Sequence, residues 1–184
     1  MSRLFGDVRQ LGYVVPDIHA AMLHWAEVLG IGPWFYVGCS RIENGFINGK
    51  SASFSVKIAL ANSGDMQIEL IEPVDGPSPY HDFLDETDGV GGLQHLSSWP
   101  SKARFEEIVE TFERAGGNIV VRGETAGTQF VYLDTLAQQG TLFEIAALSE
   151  QSKLFFKLVK EASIAWDGND PIIPVGAGKT ERRS

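Results

Sequence analysis

The sequence predicts an α+β fold: two tandem strand-helix-three-strand modules forming a cup-shaped mixed sheet, followed by a helix and a tail. Three observations carry this. Short runs alternate apolar and polar residues, with a few helical patterns between them. The order of elements in the first half recurs in the second. Polar residues able to do chemistry also fall at matching places in the two halves. The domain is expected over 1–148, with module one at about 7–74 and module two at about 91–148, leaving 149–184 to the C-terminal helix and extended tail.

The elements follow in order. "VRQLGYVVPD", residues 8–17, alternates Leu11, Tyr13 and Val15 against Val8, Gln10, Gly12 and Val14, then meets a Pro-Asp pair that can open a helix. A helix is predicted over about 17–29, with Asp17 as N-cap and Gly30 closing it; Ala21, Leu23, Trp25, Val28 and Leu29 supply its apolar residues. Strands follow in "PWFYVGCSR", "SASFSVKIALA" and "DMQIELIEP", separated by Gly and Asn turn signals. The second half restarts at "GGLQHLSSW". It continues with a helix carrying Phe105, Ile108, Val109 and Phe112 at helical spacing, then the strands "NIVVRG", "GTQFVYLD" and "GTLFEIAAL". Past 148, Leu154, Phe155, Leu158, Val159 and Ala162 mark an amphipathic helix, and "NDPIIPVGAGKTERRS" reads as an extended, partly disordered tail. The adjacent Phe155 and Phe156 need covering, which points to the helix capping a sheet or to a homodimer.

Composition narrows the partners. A net charge of -9 on 184 residues, with scattered basic residues, disfavours nucleic acid and anionic membranes, because phosphate polymers call for a basic face. No apolar run approaches the roughly 20 residues of a membrane span and no signal pattern opens the chain, so a cytoplasmic protein is expected. The single Cys39 fits a reducing compartment and reads as a small strand residue.

The repeat also locates a candidate site. Gln10-Leu11 and His95-Leu96 stand at the same place before each module's helix; Glu69 and Glu144 stand at the same place in each module's last strand. Ile68 and Leu70 point opposite to Glu69, as Phe143 and Ile145 do to Glu144, so the apolar neighbours can pack on a helix while the polar residue faces what the sheet encloses. Two carboxylates, an imidazole and an amide oxygen brought together make an open cation site with O and N ligands. The alternative is solvent-facing glutamates and a hydrogen-bonded strand histidine, but residues facing solvent have no reason to register with an internal repeat.

"RQLGYVVPDI", "MQIELIEP", "GGLQHLSSW" and "GTLFEI" resemble the vicinal oxygen chelate superfamily of glyoxalase I, bleomycin-resistance proteins, methylmalonyl-CoA epimerase and extradiol dioxygenases. "IELIEPVDGPSPYHDFLDETDGVGGLQHLSSW" resembles the epimerase branch most. The resemblance covers about residues 7–148. It implies a cup formed by each curved sheet, a central divalent metal and substrate oxygens bound to it, with the four metal positions on Gln10, Glu69, His95 and Glu144. Gln10 departs from the epimerases and many relatives, which have histidine there, and its amide oxygen shifts preference toward harder ions such as Mn²⁺ or Mg²⁺, with Co²⁺, Ni²⁺, Fe²⁺ or Zn²⁺ open. The resemblance further places Lys57, or Ser55 after a two-residue slip, where the epimerases carry a second glutamate. Alternation puts Phe54, Val56, Ile58 and Leu60 on the packed face, with Ser55 and Lys57 toward the cup.

The implied chemistry is proton movement beside a carbonyl, with Glu144 near the transferred proton and Lys57 as electrostatic or basic partner. The substrate is a small metabolite, apolar or aromatic, lined by Trp34, Tyr36, Trp99 and Tyr132, with Phe35 and Phe130 on the same strands. The reading is therefore a metal-dependent isomerase, epimerase or lyase. Its alternative is a metal-free binding protein of the same fold in which Gln10 marks a lost site. A ring-cleaving oxygenase comes third, because its two-histidine iron site cannot be built from one aligned histidine.

Overall fold

The computed structural model describes residues 2–176. Its first module runs β1 (Val8–Val14), α1 (Ile18–Glu27), β2 (Trp34–Ile47), β3 (Lys50–Ser63) and β4 (Met66–Asp75). After α2 (Pro79–Glu86), the order repeats as β5 (Gly92–Ser98), α3 (Lys102–Arg114), β6 (Ile119–Thr125), β7 (Thr128–Leu133) and β8 (Leu142–Ala147), with the single turn α4 (Leu136–Gln139) ahead of β8. The chain continues into α5 (Glu150–Ala165) and β9 (Ile172–Pro174).

Local signals act as the sequence reading expects. The Asp17 carboxylate accepts the Ala20 N–H at 3.0 Å and caps α1. The buried face of α1 is Ile18, Met22 and Ala26, four residues apart, whereas Leu23, Val28 and Leu29 are exposed. This helix is apolar on more than one side, so only its contact with the sheet selects the buried stripe. Fully burying a side chain such as Met22 contributes about 1.5–3 kcal/mol, and α3 does the same on module two with Phe105, Ile108 and Val109.

The two first strands lie side by side at the centre of the sheet. β1 pairs parallel with β4 and antiparallel with β5, and β5 pairs parallel with β8. Strand order is β3-β4-β1-β5-β8-β7-β6-β2, and β2 pairs again with β3, so eight strands form a closed ring. The closing seam is short: Phe46 faces Arg122 and Ile47 faces Val121. In place of one cup per sheet, the ring encloses a single interior, with α1 and α3 packed outside it.

Two expectations for the C-terminus change. Residues 172–174 are not a free tail; they add β9 parallel to β2, pairing Trp34 with Ile172 and Tyr36 with Pro174. The "ERRS" end lies outside the described residues. Phe155 and Phe156 are covered within their own chain, where α5 lies over the ring and Val159 packs between Phe35 and Leu60. They therefore no longer motivate a dimer. Leu154 and Leu158 of the same helix face outward at 70% and 52% exposure. Among the described residues no helix is long and apolar enough to cross a membrane.

Candidate metal centre and cavity

The four positions matched by the repeat are brought toward the middle of the ring. His95 is fully buried; its Nε2 lies 3.5 Å from Glu69 Oε2 and 3.7 Å from Glu144 Oε2. Gln10 is buried beside them and lines the same cavity as Glu69 and Glu144. Each is placed by alternation from β1, β4, β5 and β8, whose opposite faces carry Leu11, Ile68, Leu70, Leu96 and Phe143 toward α1 and α3.

Close approach at the β1–β5 seam depends on one glycine. Gly12 faces His95 in the strand register, and a Cβ added at Gly12 would fall inside the imidazole ring. The ring occupies that space and lies against Tyr132, with centroids 4.8 Å apart. On its other side His95 Nδ1 meets Gln94 Oε1 at 2.9 Å, while Gln94 Nε2 donates to the Pro79 carbonyl at 3.3 Å. A carbonyl oxygen can only accept, so Nδ1 carries a proton and Nε2 is the ring nitrogen turned toward the two carboxylates.

That nitrogen is a buried atom without a hydrogen-bond partner. Buried polar atoms are almost always satisfied, and an imidazole nitrogen set between two carboxylates is a place for a cation, whether a proton on the ring or a bound ion. The spacing agrees: two ligand atoms each about 2.1 Å from an ion at a tetrahedral angle stand about 3.4 Å apart. Among the described residues no three His, Cys, Asp or Glu side chains already stand in closed metal-holding geometry, so a bound ion would draw the carboxylates inward. Gln10 Nε2 donates to Gln67 Oε1 at 2.8 Å, which leaves its carbonyl oxygen as the coordinating atom. One imidazole nitrogen and three oxygen donors fit a divalent cation, and Gln10, Glu69, His95 and Glu144 are the residues that would hold it.

Electrostatics single out Glu144. Burial pushes its carboxyl above the ordinary range, the nearby His95 works against that, Glu69 adds to it, and hydrogen bonds from Ser97 and Tyr132 favour the ionised form. The Ser97 hydroxyl donates to Glu144 Oε1 at 2.7 Å. The Tyr80 and Tyr132 hydroxyls are 2.7 Å apart, and burial raises both phenols, so they stay protonated. One hydrogen bond joins the pair, leaving a second O–H to donate elsewhere.

Four residues that the sequence reading turned toward the cup or the substrate do not line the cavity. Lys57 lies on the α1 side of β3, ion-paired with Glu72, whose other oxygen accepts the Ile18 N–H at 2.9 Å. The Glu72 hydrogen bond raises the Lys57 pKa, with burial opposing it, so Lys57 is not a base of lowered pKa. Val56, Ile58 and Leu60 face the cavity instead; β3 is apolar on both faces because Ala59 and Ala61 pack under α1, so alternation alone did not choose the side. Ser55, the alternative to Lys57, likewise lies outside the cavity lining. Trp34 is buried beneath α1 and Tyr36 stacks on His19 at 4.8 Å, both outside the ring, while Phe35 between them turns inward. Trp99 and Tyr132 line the cavity.

Sequence reasoning passed over Gln67, Tyr80, Gln94 and Ser97. Gln67 and Ser97 were open to it, being two residues from Glu69 and His95 on the same strand face. Gln94 and Tyr80 were not, since their roles depend on a neighbouring side chain and on α2 folding against the ring.

With the geometry in place, the comparisons with known proteins agree. Residues 9–132 match the family model described as the Glyoxalase/Bleomycin resistance protein/Dioxygenase superfamily. The chain belongs to this superfamily. Among solved structures, this glyoxalase-superfamily chain is similar to methylmalonyl-CoA epimerase from Mycobacterium tuberculosis, at 21% identity and TM-score 0.59, covering 84% of this chain and 95% of that one. It is also similar to a hypothetical protein from Bacillus halodurans C-125, at 21% identity and TM-score 0.58 over 79% and 96% of the two chains. No curated protein matches the chain. At these identities the structural neighbours establish the fold that this superfamily member shares, with the modules as its repeating unit.

Proposed function

We propose that the protein is a metal-dependent isomerase, epimerase or lyase that moves a proton beside a carbonyl of a small metabolite. The observation that carries this is the partnerless, buried Nε2 of His95 beside Glu69 and Glu144, which line a largely apolar cavity. A divalent ion bound there supplies electrophilic pull on substrate oxygens. Glu144 is the proton carrier: it lines the cavity beside His95, and Ser97 keeps one of its oxygens oriented. The Tyr80–Tyr132 pair orients Glu144, one O–H joining the two phenols and the other donated to the carboxylate. Gln94 and Gly12 position His95, Gln67 positions Gln10, and the apolar walls keep bulk water away from the reacting carbon. The binding-protein alternative of the same fold leaves two buried carboxylates and a partnerless imidazole nitrogen with no bound ion between them.

The test is elemental analysis of protein purified without chelator, together with Gln10→Ala and His95→Ala. Near-stoichiometric metal that falls in both variants supports the reading. Hydrogen-to-deuterium exchange beside the carbonyl of 2-hydroxy ketones in heavy water, lost in Glu144→Gln, then establishes the reaction. Protein that neither carries metal nor takes up Mn²⁺, Co²⁺, Ni²⁺ or Zn²⁺ would leave the cavity as a binding pocket.

A further inference from the structure

The site is roofed by the chain's own C-terminal helix, and the roof constrains what can enter. The Ser149 side chain caps α5 by accepting the Ser152 N–H at 3.1 Å, and Thr128 Oγ1 donates to Ser152 Oγ at 2.8 Å. Val159 is fully buried further along, and Lys160 pairs with Asp65 beyond it. Pinned along its length in this way, α5 holds Phe156 against Trp99 at 4.9 Å and Phe155 against Phe35 at 5.9 Å, both over the cavity.

The space left below is ≈ 170 Å³. An engineered apolar cavity of about 150 Å³ holds one benzene, so this one has room for a single ring with a short polar substituent, on the order of ten non-hydrogen atoms. Its walls include Val56, Ile58, Leu60, Ile71, Phe130 and Ala146, with Ser40, Thr125, Thr128 and Ser152 as neutral polar groups, and among the described residues no Lys or Arg lines it. Among the described residues the ionisable lining groups other than tyrosine are Glu69 and Glu144, so a ligand carboxylate or phosphate finds no cation from them inside. Arg9, Arg104 and Lys153 gather in a neighbouring groove, but Trp99 and Leu148 form the wall between the two spaces. Of these cations Lys153 already pairs with Glu150 at 2.6 Å, and Arg104 lies 3.9 Å from Glu107.

We propose that the ligand is an uncharged molecule of single-ring size with its oxygen-bearing end toward Glu69 and Glu144, and that Phe155 and Phe156 set its length limit. The oxygen end rests on the metal reading above; the limits on size and charge rest on the cavity alone. On this proposal a charged thioester with a nucleotide tail binds poorly while α5 is seated.

The experiment is calorimetric titration of the whole protein in EDTA with four probes: 2-hydroxyacetophenone, phenylglyoxylate, 2-hydroxy-1-(2-naphthyl)ethanone and acetyl-CoA. The first is expected to bind, the similarly sized anion at least tenfold more weakly, and the last two not measurably. Phe156→Ala is expected to admit the naphthyl ketone while keeping the phenyl one; should it fail to fold, Phe156→Leu, which retains a packed roof, is expected to strengthen naphthyl binding in the same direction. Acetyl-CoA or the naphthyl ketone binding wild type as well as the phenyl ketone would overturn the proposal. So would equal affinity for the anion, unchanged selectivity in a folded variant, or no binding of 2-hydroxyacetophenone at millimolar concentration. Because every titration is metal-free, lack of metal with intact selectivity defeats only the metal reading, and stoichiometric metal with lost selectivity defeats only this one.

Discussion

In module two both site residues are held by a neighbour: Gln94 meets His95 Nδ1 and Ser97 donates to Glu144. In module one Gln10 is held by Gln67, while the Glu69 carboxylate receives no hydrogen bond among the described residues. The repeat matches Gly12 to Ser97, and the strand register sets Gly12 opposite His95 and Gln10 opposite Ser97. Position 12 is kept bare to seat the imidazole, and position 97 carries the hydroxyl that orients Glu144. An imidazole at position 10 would by the same symmetry lie against the Ser97 side chain, which gives a physical reason for the glutamine. The difference teaches that duplicated modules can divide labour: one fixes the ligands and the other makes room for them.

Substitutions can break or sharpen this contrast. Glu144→Gln should have the largest effect, cutting carbon-proton exchange about 10²–10⁴-fold in a deuterium-exchange assay, the range for loss of a general base. Equal loss in Glu69→Gln with Glu144→Gln active would reverse the assigned roles. Gly12→Ala comes next. It should displace His95, lower metal affinity by about a hundredfold in chelator competition and cost about 1–3 kcal/mol of stability by overpacking; unchanged affinity would refute the seating argument. Ser97→Ala should weaken metal binding about 10–100-fold, as loss of a supporting hydrogen bond does.

The pH dependence follows from Glu144. Burial raises its folded-state pKa above the ordinary 4.5, so from there up to the raised value the folded protein holds a proton that the unfolded chain has released. Metal-free protein should therefore lose stability as pH rises through that window. A divalent ion replaces that proton, so its affinity should rise over the same window. Melting curves with and without Mn²⁺ across this range check both signs. A metal-free protein that gains stability there would contradict the burial of Glu144. Lys57→Met should do least, changing stability by about 1 kcal/mol or less and leaving exchange intact, because its ion pair with Glu72 is partly exposed and lies outside the ring. A large loss of activity would return Lys57 to the site.

Much of this protein was legible in its sequence. Period-two alternation, the Asp17 cap and the internal repeat give the modules, and matching Gln10 with His95 and Glu69 with Glu144 gives the residues that meet, because strand alternation and duplication are local facts written in residue order. Tertiary structure alone decided the rest. Which face of β3 turns inward depends on both its faces being apolar, so the packing of Ala59 and Ala61 under α1 excludes Lys57. The closure of β2 on β6, the pairing of β9 with Trp34 and Tyr36, and the seating of Phe155 and Phe156 over the cavity are contacts between distant segments. Their free energy comes from apolar surface that no single stretch of sequence can bury by itself.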